Sequence, residues 1–347
     1  MRLLIVTQAV DLDDPVLGFF HRWIEEFAKH VESLEVICLK RGRFNLPPNV
    51  SVHSLGKEEY KGRAFVRRIR YALRFYKLIF QLRNRYDAVF VHMNPEYVVL
   101  GGFLWRLWRK RIALWFIHPR RSFSLRIASL FAHVILSATP KSVPIRTRKV
   151  LPVGLGIDTN AFAPLSIAQR GRTILSLGRL DAVKKIDVLV EALAALHEEN
   201  ISFHADIYGT PTDPKSNYAH DVRNAMAPLS LEGVLQLHEA VPNDQTPALY
   251  RAHAVFVNLT ETGSFDKAIA EALASGCIVV AANESLRGAI PEAFMSDGTI
   301  EGTAQAIKAA LEMAPKEQAD ISARNRAYAE EHFSLQKLIP RIVAALQ

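Results

Sequence analysis

Short apolar, β-branched runs alternate along the chain with longer stretches in which apolar residues recur at helical spacing. This is the pattern of a parallel sheet covered by helices. In the first half the runs Leu3–Val6, Leu34–Leu39, Ala88–His92, Ile112–Ile117 and Val134–Ser137 predict strands. The spacing predicts helices around Phe19–His30, Ala64–Asn84, Tyr97–Trp108 and Ser124–Phe131. The pattern restarts after Pro164, where Leu165–Arg172 is polar and unpatterned like a linker and Thr173–Leu177 opens a new strand ending at Gly178. Strands follow at Ser202–Tyr208, Val234–Leu237, Ala254–Val257 and Ile278–Ala281, with helices at Ile186–His197, Lys215–Met226 and Lys267–Ala274. Residues 317–347 read as helical with a break at Phe333-Ser334. The expectation is an α/β protein of two Rossmann-like, doubly wound domains, 1–165 and 166–330, facing each other across a cleft, with a C-terminal helix at 331–347 packing back on the first.

Composition removes other classes. At about 150 residues per domain, 347 residues suit two domains. Hydrophobic residues at 49% with only 17 Gly and 17 Pro exclude disordered and collagen-like chains. Cys38 and Cys277 have no CxxC or Cys/His neighbour, so neither a disulfide framework nor a zinc site is expected and a reducing cytosol is the default. The longest apolar candidate, Tyr97 to Ile117, is cut by Arg106, Arg109, Lys110 and Arg111, too many charges for a transmembrane helix. Met1–Thr7 has an apolar core of four residues running towards Asp11, and reads as a buried strand, not a signal peptide.

Charge divides the chain. Residues 1–170 carry a net +16 and the remainder −8. Between Lys57 and Arg85 stand ten Lys and Arg against Glu58 and Glu59, with Phe65, Ile69, Leu73, Tyr76 and Phe80 recurring at helical spacing. This is a basic amphipathic helix, and its apolar stripe is expected to pack on the sheet with about half of the cations merely solvated. Trp105, Trp108, Arg109–Arg111 and Arg120-Arg121 add tryptophans and cations, so stretches 57–85 and 105–121 together suit an anionic membrane surface. No nucleic-acid recognition motif accompanies them.

Two stretches carry chemistry. In the first, a strand runs into Gly178-Arg179, with Lys184 five residues on at the mouth of a helix. That aims two cations and helix amides at one spot, as a diphosphate requires; an exposed basic turn is the plain alternative. In the second, a strand ends in a Thr/Gly/Ser loop, and Asp266-Lys267 open a helix with Glu271 one turn in. Glu271 sits among Ala268, Ile269, Ala270, Ala272 and Leu273, a setting in which a carboxylate needs a partner, so a solvated helix position is the weaker reading. The scattered histidines form no HxxxH or HxH cluster, and Asp11, Asp13 and Asp14 read as a solvated loop more than a cation site. His92, Asn94 and Glu96, at a strand end facing the expected cleft, are candidate acceptor contacts.

Together these stretches resemble the nucleotide-sugar site of the family-4 glycosyltransferases, which have the GT-B fold. The first strand with its glycine loop, the Val153-Gly-Leu-Gly-Ile-Asp158 hinge, the Gly-Arg-x4-Lys turn and the Glu-Ala-x-Ala-x-Gly helix stand in family order over nearly the whole chain. The resemblance implies a retaining hexosyltransferase that uses a nucleoside-diphosphate sugar of UDP or GDP type, with no other cofactor and no metal. Arg179 and Lys184 would neutralise the leaving diphosphate, Glu271 would bind the ribose, His118 would stand near the transferred sugar, and Gly178 and Gly18 would line the donor phosphates. The family's first glutamate, eight positions before Glu271, is replaced by Gly263 within Thr262-Gly-Ser-Phe-Asp-Lys267, a variant form in a bacterial subgroup. Glu261, Ser264, Asp266, Lys267 and the amides of Gly263 to Phe265 all remain candidates for the sugar contact. The acceptor would be a glycan or a lipid-linked glycan, in cell-envelope polysaccharide or glycolipid synthesis at the inner face of the cytoplasmic membrane. An epimerase of the same fold and a non-catalytic membrane-surface scaffold are the alternatives.

Overall fold

The computed structural model describes residues 1–14, 16–60, 62–118, 122–138, 142–213, 216–261 and 266–347. The backbone divides into two compact units, Met1–Gly156 with Leu335–Gln347, and Ile157–Ser334. The sequence pattern had placed these boundaries at 165/166 and 330/331.

The first unit is a parallel sheet of β1 (Arg2–Val10), β2 (Ser33–Arg41), β3 (Val50–Ser54), β4 (Ala88–His92), β5 (Arg111–Trp115), β6 (Val134–Ser137) and β7 (Val150–Pro152), in the order β3-β2-β1-β4-β5-β6-β7. Alternation along β1 feeds two cores: Leu3 and Ile5 face the cluster containing α1 (Phe20–His30), while Leu4 and Val6 face that of α2 (Ala64–Gln81), α3 (Pro95–Leu107) and α4 (Phe123–Phe131). β3 and β7 escape the sequence reading because one is a short, polar-alternating strand and the other is three residues ending in proline. The C-terminal helix α11 (Leu335–Ala345) buries Leu335, Leu338, Ile339 and Ile342 in the cluster of Trp23 and Phe27. Its seat is Gly156: a Cβ there would lie 2.5 Å from Leu338 Cδ2, and the Gly156 carbonyl accepts a 3.2 Å bond from Trp23 Nε1.

On α2 the buried apolar residues are Phe75 and Ile79. Phe65, Ile69, Leu73 and Phe80, expected to pack on the sheet, are exposed. The stripe is wider than one sheet-facing row, and only its edge reaches the core.

The second unit is a parallel sheet of β8 (Thr173–Leu177), β9 (His204–Tyr208), β10 (Leu235–His238), β11 (Val255–Asn258) and β12 (Ile278–Ala281), in the order β10-β9-β8-β11-β12. Around it lie α5 (Ile186–Glu198), α6 (Asn217–Leu231), α7 (Thr246–Ala252), α8 (Lys267–Ala274), α9 (Ile300–Leu311) and α10 (Pro315–His332). Both α7, two turns opening on Thr246-Pro247, and α9, whose buried face is Thr303, Ala306, Ile307, Ala310 and Leu311, are absent from the sequence expectation.

The stretch read as a linker is pinned to this unit. Arg170, 4% exposed, donates to the carbonyls of Leu165 and Ser275 at 2.7 and 2.8 Å and to those of Tyr250 and His253 at 3.3 and 3.2 Å. One guanidinium thus fixes the ends of α7 and α8 together. Arg170→Met leaves these buried acceptors short of a donor and should cost on the order of 3 kcal/mol. That corresponds to a fall of roughly 6–12 °C in Tm. A melting curve unchanged from wild type would contradict this role.

Candidate functional site

In the second unit the strand order reverses between β8 and β11, so the loops leaving their carboxyl ends diverge and leave a crevice for a ligand. Gly178-Arg179 follow β8 and Leu259–Glu261 follow β11, so both chemistry-bearing stretches arrive at this one edge. Lys184 closes a short 3-10 turn, Ala182–Lys184, and its aliphatic stem crosses Gly178, where a Cβ would touch Cε at 3.4 Å. Its ammonium forms an ion pair with Asp266 Oδ2, which also accepts from Asn258 Nδ2 at 2.9 Å and Thr260 Oγ1 at 3.5 Å. Asp266 Oδ1 caps α8 through the Ala268 amide at 3.2 Å. Burial pushes the Asp266 carboxyl up, but Lys184 and these hydrogen bonds outweigh it and hold the group below its ordinary range.

Arg179 points elsewhere. Its guanidinium lies 3.4 Å from Asp181 and 3.3 Å from Thr212 Oγ1, and the side chain is largely exposed. The expected cations are thus each held by a separate carboxylate. The helix amides are also partly engaged: those of Ile186 and Asp187, opening α5, donate to the Tyr218 hydroxyl at 2.7 and 3.2 Å. Neighbouring Lys185, in the left-handed conformation at φ 50°, donates to Glu261 Oε1 at 2.5 Å.

Glu271 is 2% exposed, which rules out the solvated-helix reading. Its oxygens accept from Lys267 Nζ at 2.5 Å and the Tyr250 hydroxyl at 3.1 Å. Burial, and then the adjacent Glu271 charge, hold the Tyr250 phenol protonated well above its ordinary pKa, so it remains a donor. Gly263, Ser264 and Phe265 lie outside the described residues. At the ends of β9 and β10, Tyr208 stacks on His238 with ring centroids 4.3 Å apart, and Thr210 Oγ1 bonds Glu239 at 3.1 Å. Sequence reasoning missed Asn258, Thr260, Tyr250 and Tyr218. Asn258 and Thr260 could have been found from their position at a strand end; the two tyrosines, distant in sequence, give no local signal.

The first unit has its own reversal between β1 and β4. Gly18 lies in the loop after β1, where a Cβ would stand 2.7 Å from the Asp14 carbonyl oxygen and 3.0 Å from that of Leu12. The acidic loop expected to be solvated is engaged: buried Asp11 accepts from Lys40 Nζ at 2.8 Å, and Asp13 pairs with Arg43 at 2.6 Å. His118 is exposed three residues beyond β5. Among the acceptor candidates, Asn94 accepts from Gln8 at 2.6 Å and Glu96 from Ser124 at 2.8 Å, both at the carboxyl edge of the sheet. His92 is a correction: it is buried, stacked on Phe20 with ring centroids 4.0 Å apart and 3.2 Å from Thr7 Oγ1, and offers an acceptor no surface. Among the described residues no group of His, Cys, Asp and Glu is placed to hold a metal ion, and no helix is long and apolar enough to cross a membrane.

Burial pushes His92 down from 6.5 to about 3, and His21 and His133 are lowered in the same direction. The unfolded chain therefore takes up these protons near pH 6.5 while the folded chain does not, so stability falls as pH drops from 6.5 towards 3. Asp266, whose folded value is depressed, loses its contribution only below about 3.8. Urea midpoints of the wild type should decline between pH 6.5 and 4, and His92→Phe should flatten that slope. Parallel pH profiles for the two proteins would contradict the assignment.

The profile for the family described as Glycosyl transferases group 1 matches residues 171–313. Mannosylfructose-phosphate synthase of Agrobacterium fabrum is 28% identical over 134 residues, 35% of this chain and 30% of that protein. The putative colanic acid biosynthesis glycosyltransferase WcaL of Escherichia coli is 25% identical over 214 residues, 57% of this chain and 50% of that one. The chain thus spans half or less of these curated relatives' length. Among solved structures, Anabaena Alr3699/HepE in complex with UDP and glucose superposes over 100% of this chain and 99% of its own, with TM-score 0.76 at 18% identity. Sucrose-phosphate synthase from Thermosynechococcus elongatus does so over 99% and 98%, with TM-score 0.77 at 15% identity. The chain has the two-unit α/β fold of the GT-B glycosyltransferases, and residues 171–313 of its second unit match the profile of the family described as Glycosyl transferases group 1.

Proposed function

We propose that this protein is a retaining glycosyltransferase that moves a sugar from a nucleoside-diphosphate sugar, of UDP or GDP type, to a glycan or lipid-linked acceptor held by the first unit, with no divalent metal. The observation that carries the reading is the gathering of Gly178, Lys184 and Asp266 at the reversal point of the second sheet, inside the matched stretch. Relatives named as glycosyltransferases, and a structural neighbour solved with UDP and UDP-glucose, support the donor class.

In this reading the donor diphosphate displaces the carboxylates of Asp266 and Asp181 from Lys184 and Arg179. The two cations then stabilise the negative charge that builds as the glycosidic bond to phosphate breaks. Glu271, held between Lys267 and Tyr250, accepts from the ribose hydroxyls. Among the described residues, Glu261, Asp266 and Lys267 are the candidates for the sugar contact in place of the family's first glutamate, with His118 the candidate for the transferred sugar. The acceptor hydroxyl attacks from the face the leaving group vacates, and the departing phosphate takes its proton, which gives retention without a covalent carboxylate intermediate.

Arg179→Ala and Lys184→Ala should each abolish acceptor-dependent release of nucleoside diphosphate. Arg179→Ala, at a largely exposed side chain, should preserve the melting curve, whereas Lys184→Ala leaves Asp266 buried without its cation and should lower the melting temperature while the chain still folds. Normal turnover in either variant would refute the assignment. Release of no nucleotide by wild type with any donor would point to the scaffold reading.

The membrane surface belongs to the same proposal, with a role in cell-envelope glycan synthesis. Phe65, Leu73, Phe103 and Phe123 on α2, α3 and α4 are 74%, 65%, 64% and 77% exposed, and α2 also carries Arg67 and Arg70, with Arg63 at its N-cap. Wild type should sediment with anionic vesicles at low salt, and Phe65→Ser with Leu73→Ser should lose several-fold in binding. Absence of wild-type binding would remove this part of the proposal.

A further inference from the structure

Between α2 and α3, at the carboxyl ends of β1 and β2, lies an open groove of about 700 Å³. Its size falls within the roughly 300–1,000 Å³ of small-molecule sites. Leu39, Leu55, Ala72, Phe75 and Leu100 give it apolar walls, while Gln8, Asn94 and Glu96 make it polar where it meets the strand ends. Two polar groups on the α2 wall lack partners. Arg68 makes no ion pair among the described residues, and the hydroxyl of Tyr71 is buried with no hydrogen-bond partner. A buried hydroxyl left unpaired is destabilising, and an incoming acceptor oxygen offsets that cost. The exposed apolar residues Phe65, Ile69 and Leu73 lie on the same helix, one shoulder round from the groove-facing Arg68, Ala72 and Phe75.

An apolar trough bearing a cation without an ion pair, opening beside an exposed apolar ridge, suits an amphiphile with one hydrocarbon chain and an anionic head. We infer that the groove binds a single-chain lipid phosphate, its chain along Ala72, Phe75 and Leu100 and its phosphate at Arg68. The polar strand-end residues are left for whatever the phosphate carries. This deepens the proposed function, since it names the class of the lipid-linked acceptor and rests on that reading.

Farnesyl phosphate, titrated calorimetrically below its micellar range, should bind wild type, with inorganic phosphate and farnesol each at least about tenfold weaker. Ala72→Trp, which fills the trough, should weaken farnesyl phosphate about tenfold or more. Arg68→Ala, a surface change with little folding risk, should weaken farnesyl phosphate while leaving farnesol unchanged. Binding by inorganic phosphate as tight as by farnesyl phosphate, indifference to both substitutions, or no farnesyl phosphate binding would overturn the inference. UDP and GDP titrations of the same proteins keep the two readings apart. Nucleotide binding without farnesyl phosphate binding sinks only the groove, and the converse sinks only the donor assignment.

Discussion

A parallel strand can be followed by another only through a crossover, and a sheet that grows in both directions from its first strand must send neighbouring connections to opposite faces. Everything of functional interest here follows from that constraint. In the second unit the growth point is β8, flanked by β9 and β11, and the diverging loops carry Gly178 and Thr260 to one edge. In the first unit it is β1, flanked by β2 and β4, and the edge carries Gln8, Asn94 and the groove of α2 and α3. The chemistry-bearing residues are set where backbone topology leaves space that side chains do not fill.

Electrostatics completes the site. Lys184 and Asp266 are both largely buried, and such a pair persists because each group would be costly alone. Asn258 and Thr260 occupy further lone pairs of the carboxylate, so the network is coherent without a ligand. A diphosphate offers Lys184 more negative charge than Asp266 does. In the proposed reaction, donor binding is then an exchange of anions around a fixed cation whose stem runs past Gly178.

Much of this was legible in the sequence because parallel strands are buried on both faces and read as short apolar runs. β8 coincides with Thr173–Leu177 and α8 with Lys267–Ala274 to the residue. Glu271 was recognisable as a partnered carboxylate because its neighbours are apolar, yet its partner Tyr250 was not, since nothing local links residues 21 apart. His92 failed as a surface residue because a strand-end histidine has the same sequence signature whether its ring turns outward or stacks on Phe20. The apolar stripe of α2 was visible, but helical spacing does not say which part of a wide stripe the sheet covers. Only packing shows that Phe75 and Ile79 are buried while Phe65 and Leu73 are not.

The central claim is that Lys184 at the reversal point of the second sheet holds a nucleoside diphosphate without a metal. The most direct test is the thermal shift produced by UDP, GDP and ADP, with and without EDTA, in wild type and Lys184→Ala. The account predicts a stabilising shift for one nucleotide that survives EDTA and disappears in the variant. A shift that EDTA abolishes, or that Lys184→Ala retains in full, would contradict it.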